Sequence, residues 1–343
     1  MELYIHEKPA GASGGGRIPL TIYENEFVSV IGDACEITSD SGKIAVYDTG
    51  NLIFRESVEK NVSHGEPDAF LSGDRKIMHK RHVAGVMEQT RLEGIGVKRL
   101  RELAPFEIFK TELAYLMMSS PEAVVFNNPF KKLDADDRTR IVYEMAKLQK
   151  KLGVSFVYCT TDDREAMRIS TRVIVINHGK IEQIGSPEEL YYAPVSRDVA
   201  EIFDGHNIFE GWIREKTGSD ALIMTEFGQF VVQTNEFEED EMLYISIRPE
   251  MIRVRESEGD HVKVSGVLTD YHFMGNGYEA VVKLINGQDV VGRMPGKSYE
   301  VGSVVYLDWD TEEIALMHTR GDSVYEMIET LSTEVGNSLK VSI

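Results

Sequence analysis

Between residues 123 and 185 the chain alternates short, wholly apolar runs with amphipathic segments, and this alternation restricts the fold more than any other feature. Ala123-Val124-Val125-Phe126 has no polar face, as in a strand covered on both sides within a parallel sheet. The following segment places Ile141, Met145, Leu148 and Leu152 on one helical stripe that Gly153 ends. Residues 154–159 form a second buried run, and Asp162-Asp163 open a further helix at its positive end. Residues 172–184 predict a hairpin turning at Asn177-His178-Gly179. Strand, helix, strand, helix predicts a parallel α/β sheet.

The flanks extend this pattern. Residues 18–31 predict two strands around a turn at Glu24-Asn25, and 43–47 a further strand. A helix is expected over 79–94, and another after Pro105 with Ile108, Phe109, Leu113, Leu116 and Met117 as its buried stripe. Ser186-Pro187-Glu188-Glu189 is a helix start, with a Ser cap and Pro at the first helical position. After about residue 204 the helical period stops. Residues 208–318 read as short strands with glycine turns, such as Gly275-Asn276-Gly277 and Asn286-Gly287, the texture of a small β-barrel or sandwich. The boundary is therefore expected at 204/205, dividing the chain into 1–204 and 205–343. The acidic stretch 236–241 reads as a solvated connector, and 322–331 as a helical segment.

Charge and composition remove several function classes. A net charge of −20 and a pI near 4.9 repel nucleic acid and anionic membrane surfaces, so neither is an expected direct partner. Two cysteines cannot make a disulfide framework, and His79 with His82 is too small a set for a zinc centre, so no metal site is expected. There is no run of about 18 apolar residues and no charged-then-apolar leader. The expectation is a cytoplasmic protein with no direct membrane insertion, brought to the inner face of the cell membrane only through partner subunits.

The run STRVIVINHGKIEQIGSPEELYYAPVSRDVAEIF resembles the stretch after the switch histidine in nucleotide-binding subunits of polyamine, iron and sugar importers. Upstream, RLEGIGVKRLRELAPFEIFKTELAYLMMSSPEAVVFNNPFKKLDADDR is similar to the signature helix, Walker B strand and D-loop of that ATP-binding-cassette family. Downstream, YISIRPEMIRV and VGSVVYLDWDTEEIALM are similar to its appended β domain, called TOBE. His206-Asn207-Ile208-Phe209-Glu210-Gly211 lies closest to the polyamine and iron branch. The implied fold is a shortened P-loop-NTPase-like cassette domain followed by an all-β, OB-like TOBE domain.

The resemblance also implies ATP and Mg²⁺ in intact members, and here the matching positions have changed. A phosphate cradle needs glycine-rich N–H groups opening a helix, a Lys and a Ser/Thr hydroxyl. Gly32-Asp33-Ala34-Cys35-Glu36-Ile37 stands in its place without that Lys, and the helix reads as deleted. The glycine-rich 11–16 precedes the first strand and lacks the Lys-Ser/Thr ending, so it reads as a flexible loop. The family's metal-positioning Asp falls on Asn127, its water-polarising Glu on Asn128 and its switch histidine on Thr161. Neutral amides bring no charge to a hard cation and cannot act as a base. The signature falls on Leu103-Ala104-Pro105-Phe106-Glu107, where Pro removes an N–H and Phe obstructs backbone approach. No catalytic residue, cofactor or metal is expected on these grounds.

Asp134 of the D-loop survives, and two readings stand for it: a subunit contact, or a cap for the following helix. Residues 51–62 resemble the segment after the Q-loop that receives a helix from the membrane subunit, with the Gln replaced by Thr49 or deleted. Phe54, Val58, Asn61 and Asp134 are the expected interface residues. Three functions remain: a non-hydrolysing subunit of an importer, a stand-alone binding protein using the β domain, and an active ATPase. The first implies membrane subunits as partners, with an intact cassette subunit or a second copy as the dimer mate. Transported solute, partner identity and any ligand of the β domain are not readable from the sequence.

Overall fold

The computed structural model describes residues 2–7, 17–32, 35–38, 43–66, 73–131, 133–177, 180–203, 205, 207–258, 262, 264–296 and 299–319. Expectations that fall on 11–16, Asp33, His178-Gly179, Asp204, His206 and 322–331 lie outside those residues. Contacts divide the chain into two compact units, Met1–Pro187 and Glu188–Ile343.

In chain order the first unit contains β1 (Glu2–Glu7), β2 (Arg17–Thr21), β3 (Phe27–Ile31), β4 (Cys35–Thr38), β5 (Ile44–Val46), α1 (Val58–Ser63), α2 (Asp74–Gln89), α3 (Pro105–Met117), β6 (Ala123–Asn127), α4 (Ala135–Leu152), β7 (Ser155–Thr160), α5 (Asp163–Ile169), β8 (Arg172–Asn177) and β9 (Lys180–Gly185). Six strands lie in the order β5-β6-β7-β3-β8-β9, all parallel except β9, which returns antiparallel along β8. The central strands read as unbroken apolar runs because both faces are covered. Phe27, Val124, Phe126, Phe156 and Tyr158 face one core with the helices, whereas Val28, Val30, Val125, Val157 and Cys159 face a second core. That second core is closed by Leu3, Leu20 and Ile37 from a small antiparallel sheet, β2-β1-β4.

Local chemistry sets the ends of these elements. Asp134 caps α4, accepting from Asp137 N at 2.8 Å, and Gly153 ends the helix at φ +66°. Asp162 caps α5 in the same way. Two expectations shift. The helix read over 79–94 is α2, running from Asp74 to Gln89. The strands around Glu24-Asn25 do not pair as a hairpin: β2 joins the small sheet and β3 the centre of the large one.

The second unit begins with α6 (Pro187–Tyr192) and α7 (Arg197–Ile202). Its strands are β10 (Asn207–Thr217), β11 (Asp220–Thr225), β12 (Gly228–Gln233), β13 (Met242–Ile247), β14 (Arg253–Arg255), β15 (Val264–Phe273), β16 (Tyr278–Leu284), β17 (Asp289–Met294), β18 (Val304–Asp308) and β19 (Ala315–His318). Five form an open sheet, β12-β11-β10-β13-β19, and five a closed barrel, β14-β17-β16-β15-β18. Trp309, Phe230 and Ile252 lie in their continuous core. The division after Pro187 precedes the expected boundary at 204/205. Its cause is Arg248, whose buried guanidinium lies over the Tyr191 ring and donates to Tyr191 O and Phe203 O, tying residues 188–203 to the β unit. The acidic connector is held by Lys216, which bonds Glu239 through its backbone N and faces Glu238 with its ammonium. Among the described residues no helix is long and apolar enough to cross a membrane.

Candidate functional site

Ligands of parallel α/β sheets bind outside the carboxyl ends of the strands. Register pairs Ile31 with Thr160 and Asn127 with Cys159, so Gly32, Asn127, Asn128 and Thr161 all fall at that one edge. Asp33 lies outside the described residues. At Gly32 a Cβ would stand 2.8 Å from Ile176 O, so the close approach of β8 requires glycine. The element following β3 is the strand β4, which pairs with β1. A phosphate loop opens a helix, whose N-terminal N–H groups and dipole hold the anion. This edge has a strand there.

The two asparagines are placed differently. Asn127 Oδ1 accepts from Ile37 N on β4 at 3.4 Å and from Cys159 Sγ at 3.5 Å, so its amide serves contacts within the fold. Asn128 has φ +44°, its backbone N donates to Cys159 O, and its side chain is exposed. Thr161 is also exposed. Beside it, Glu165 Oε2 accepts from Tyr158 Oη at 2.6 Å and Thr160 Oγ1 at 3.1 Å, while its Oε1 accepts from Arg138 Nε at 2.5 Å. Arg138 also reaches Asp162 at 3.1 Å, which ties α4 to α5. Burial, reinforced by the bond to Glu165, pushes the Tyr158 phenol above its ordinary range.

The signature match forms the start of α3. Leu103 packs against the core, Ala104 is the cap residue and Pro105 the first helical residue. Glu107 Oε2 accepts from Ala104 N at 3.0 Å, so the chain's own carboxylate lies at the positive end of this helix. Phe106 stacks on Phe109, and its ring is faced by Lys110 at 5.0 Å and Arg140 at 4.8 Å.

Of the four expected interface residues, Phe54 is 62% exposed and Asp134 is exposed, the latter serving as the α4 cap. Val58 and Asn61 are corrected: both are buried. Val58 packs in the helical core, and Asn61 fastens the preceding segment. Its Oδ1 accepts from Ile53 N, and its Nδ2 donates to the carbonyls of Ile53 and Ser57. A polar residue one turn behind the Ser57 helix cap is the sequence signal for such a fastening. Glu112 was also missed. It is fully buried on α3, bonded to Asn51 Nδ2, and its position between Phe109 and Leu116 on the apolar stripe was the available clue. No group of three or more His, Cys, Asp or Glu among the described residues is arranged to hold a metal ion.

Comparison with known proteins supplies the kinship. Residues 245–317 match the TOBE domain family model. The chain is similar to the spermidine/putrescine import ATP-binding protein PotA of Acetivibrio thermocellus, 31% identical over 242 residues, 71% of this chain and 66% of that protein. The PotA of Borrelia garinii subsp. bavariensis is 29% identical over 64% of this chain and 61% of its own. The match thus spans just under two thirds of these relatives' length. With the PotA of Marinobacter nauticus, 25% identity extends over 85% of this chain and 88% of the relative. Among solved structures, cbiO1 from Clostridium perfringens, part of the ABC transporter complex cbiONQ, superimposes on 55% of this chain with 19% identity and a TM-score of 0.45. These relatives are named ATP-binding proteins, which overturns the expectation that no cofactor is associated with a chain of this kind: ATP is the ligand their names carry. The chain is thus similar over most of its length to import ATP-binding proteins named PotA, and its residues 245–317 match the TOBE domain family.

Proposed function

We propose that the chain is a subunit of an import complex for small cationic solutes of the spermidine/putrescine kind, and that it does not itself hydrolyse the ATP its relatives bind. The observation that carries this reading is that the strand β4 follows β3, where a phosphate loop would open a helix, at an edge that also carries Asn127, Asn128 and Thr161. Holding a nucleotide and hydrolysing it make different demands. Hydrolysis needs a charged metal ligand and a group that orients or deprotonates water, and neither asparagine carries charge.

The partners under this reading are membrane subunits and an intact cassette subunit or a second copy. Exposed Phe54, with Ile53 beside it at 46%, supports a docking surface on the segment before α1. The test is ATP turnover by the purified chain, alone and reconstituted with membrane subunits and an intact import ATP-binding protein. Alone it should match a heat-inactivated control, and it should co-purify with the complex. Mg²⁺-dependent turnover by the chain alone, lost on Asn128→Ala, would overturn the proposal.

One observation favours the stand-alone binding protein as a second reading. A cavity of about 360 Å³ in the β unit is lined by Glu210, Trp212, Phe227 and Tyr244 among others, within the usual size range for small-molecule sites. Recovery of the native chain free of membrane subunits but with a bound small molecule would favour that reading.

A further inference from the structure

Glu112 is a buried acid that the functional reading does not use. It stands on α3 between Phe109 and Leu116 with no exposed surface. Oε1 accepts from Asn51 Nδ2 at 3.1 Å, and the backbone of Asp48 also bonds the carboxyl. Oε2 is buried without a hydrogen-bond partner. An ionised carboxylate in such a place has lost its water and gained too few donors to replace it.

Among the described residues the surroundings bring no compensating cation. The titratable neighbours acting on this carboxyl are Asp48, on the adjoining turn, and Tyr47, at the end of β5. Packed against α3, α1 buries uncharged Val58, Asn61 and Val62. The buried titratable group of α2, His79, is engaged with Ser63 and Glu66. From α4 the inward groups are Ile141, Val142, Met145, Leu148 and the neutral Gln149. Burial therefore dominates, and it pushes the Glu112 carboxyl up to about 7 against the lowering effect of the two hydrogen bonds.

Both donors belong to one short piece of chain. Asp48 and Asn51 bracket a single turn, closed by Asn51 N donating to Asp48 O, which leads into the segment carrying exposed Ile53 and Phe54. We propose that Glu112 is a proton-controlled latch: protonated, it keeps residues 48–57 closed over α3, and its ionisation favours opening of that segment so that water reaches the carboxylate. The proton leaves to solvent, and the exposed Ile53-Phe54 surface changes with it.

Linkage fixes the direction. Opening restores an ordinary carboxyl, so the opening equilibrium rises with pH from about 4.5, by up to about tenfold per pH unit, and levels off near 7. Backbone hydrogen exchange of the full chain, corrected for the intrinsic pH dependence of exchange, reads this in peptides covering 48–57. Between pH 5 and 7.5 their protection should fall by on the order of tenfold or more, while peptides from β6 and β7 stay unchanged. In Glu112→Gln the profile should be flat, because the amide accepts from Asn51 and cannot ionise. Asp48→Asn removes the facing charge and should move the levelling-off point to lower pH, which keeps the test decisive where the glutamine variant does not fold. A wild-type profile that is flat, or that persists in Glu112→Gln, overturns the latch, as does a levelling-off point unmoved by Asp48→Asn. The assay uses the chain alone, so its outcome is separate from that of the importer-subunit proposal.

Discussion

Replacing Asn61 with alanine is expected to destabilise the first unit by about 2–4 kcal/mol. The side chain is 1% exposed, and it holds both backbone groups of one residue: Oδ1 accepts from Ile53 N at 2.6 Å, and Nδ2 donates to Ile53 O at 3.1 Å. A third bond runs to Ser57 O at 3.0 Å. Each neutral hydrogen bond contributes about 1 kcal/mol net, and a buried donor left without its partner costs about 1–3 kcal/mol. Ile53 itself is 46% exposed, so water replaces part of what is lost and keeps the total near the middle of that range. Both tryptophans, Trp212 and Trp309, lie in the second unit, so fluorescence is blind to this change. Far-UV circular dichroism in urea, which reads α1 to α4, is the appropriate assay. Asn61→Asp keeps an acceptor for Ile53 N but points a carboxylate at two carbonyls, and it should be at least as damaging at neutral pH. A loss below about 0.5 kcal/mol for the alanine variant, the usual range of an inconsequential surface change, would refute the reasoning.

Other outcomes follow from single contacts. Glu112 is raised to about 7 from an ordinary value of 4.5, so its cost to folding is absent below pH 4.5, grows as pH rises to 7 and stands at about 3 kcal/mol above it. Glu112→Gln should therefore flatten the urea midpoint between pH 5 and 8 and be the more stable protein at pH 8. At Gly266 a Cβ would stand 2.6 Å from Lys283 O and Val282 Cγ1, so Gly266→Ala should cost the β unit about 1–3 kcal/mol, visible as a lower tryptophan-fluorescence midpoint. Arg138→Met removes the cation from Glu165 and Asp162 and should lower the circular-dichroism midpoint by about 1–2 kcal/mol.

What the sequence disclosed depended on whether a residue's neighbours in space were also its neighbours in sequence. The strands β6 and β7 were legible because both of their faces are covered, and α4 because Asp134 and Gly153 bracket a regular apolar stripe. By contrast, β1 went unread: it exists through pairing with β2 and β4, and its residues ELYIHE give no local reason to form a strand there. Residues 187–203 carry helical periods and so were grouped with the α/β region. Their partner, Arg248, lies some 45 residues downstream of Phe203. Asn61 and Glu112 were misread or missed for a shared reason: polar side chains count as surface in any pattern argument unless their partners are visible, and here the partners are backbone atoms and Asn51. At the candidate site the resemblance singled out Gly32, Asn127, Asn128 and Thr161 one by one, and the register of the sheet is what sets them at one edge. What their neighbours do with them, Ile37 N on Asn127 above all, required the strand β4 to be seen.

Under the proposed non-hydrolysing role, these contacts bear on whether ATP hydrolysis could be gained by exchanging the two asparagines for carboxylates. Asn127→Asp would keep the acceptor for Ile37 N, so the fold should tolerate it. Asn128→Glu is less favourable, because φ is +44° there and a residue other than Gly, Asn or Asp in that region costs about 1–2 kcal/mol. The double variant would then present two carboxylates at the edge, yet three other features would be unchanged. A strand still follows Gly32, so no helix N-terminus opens toward a phosphate. Glu107 still occupies the start of α3 through Ala104 N, and no imidazole is supplied at Thr161. Metal-assisted phosphoryl transfer depends on these parts acting together, and restoring one class of group among several gives little when the others are missing. ATP turnover by the double variant is therefore expected to stay at the level of a heat-inactivated control, measured at saturating Mg²⁺ and ATP. Turnover above that control would mean that the edge holds the nucleotide in a working geometry with its present backbone, and that the asparagines alone keep the chain from hydrolysing it.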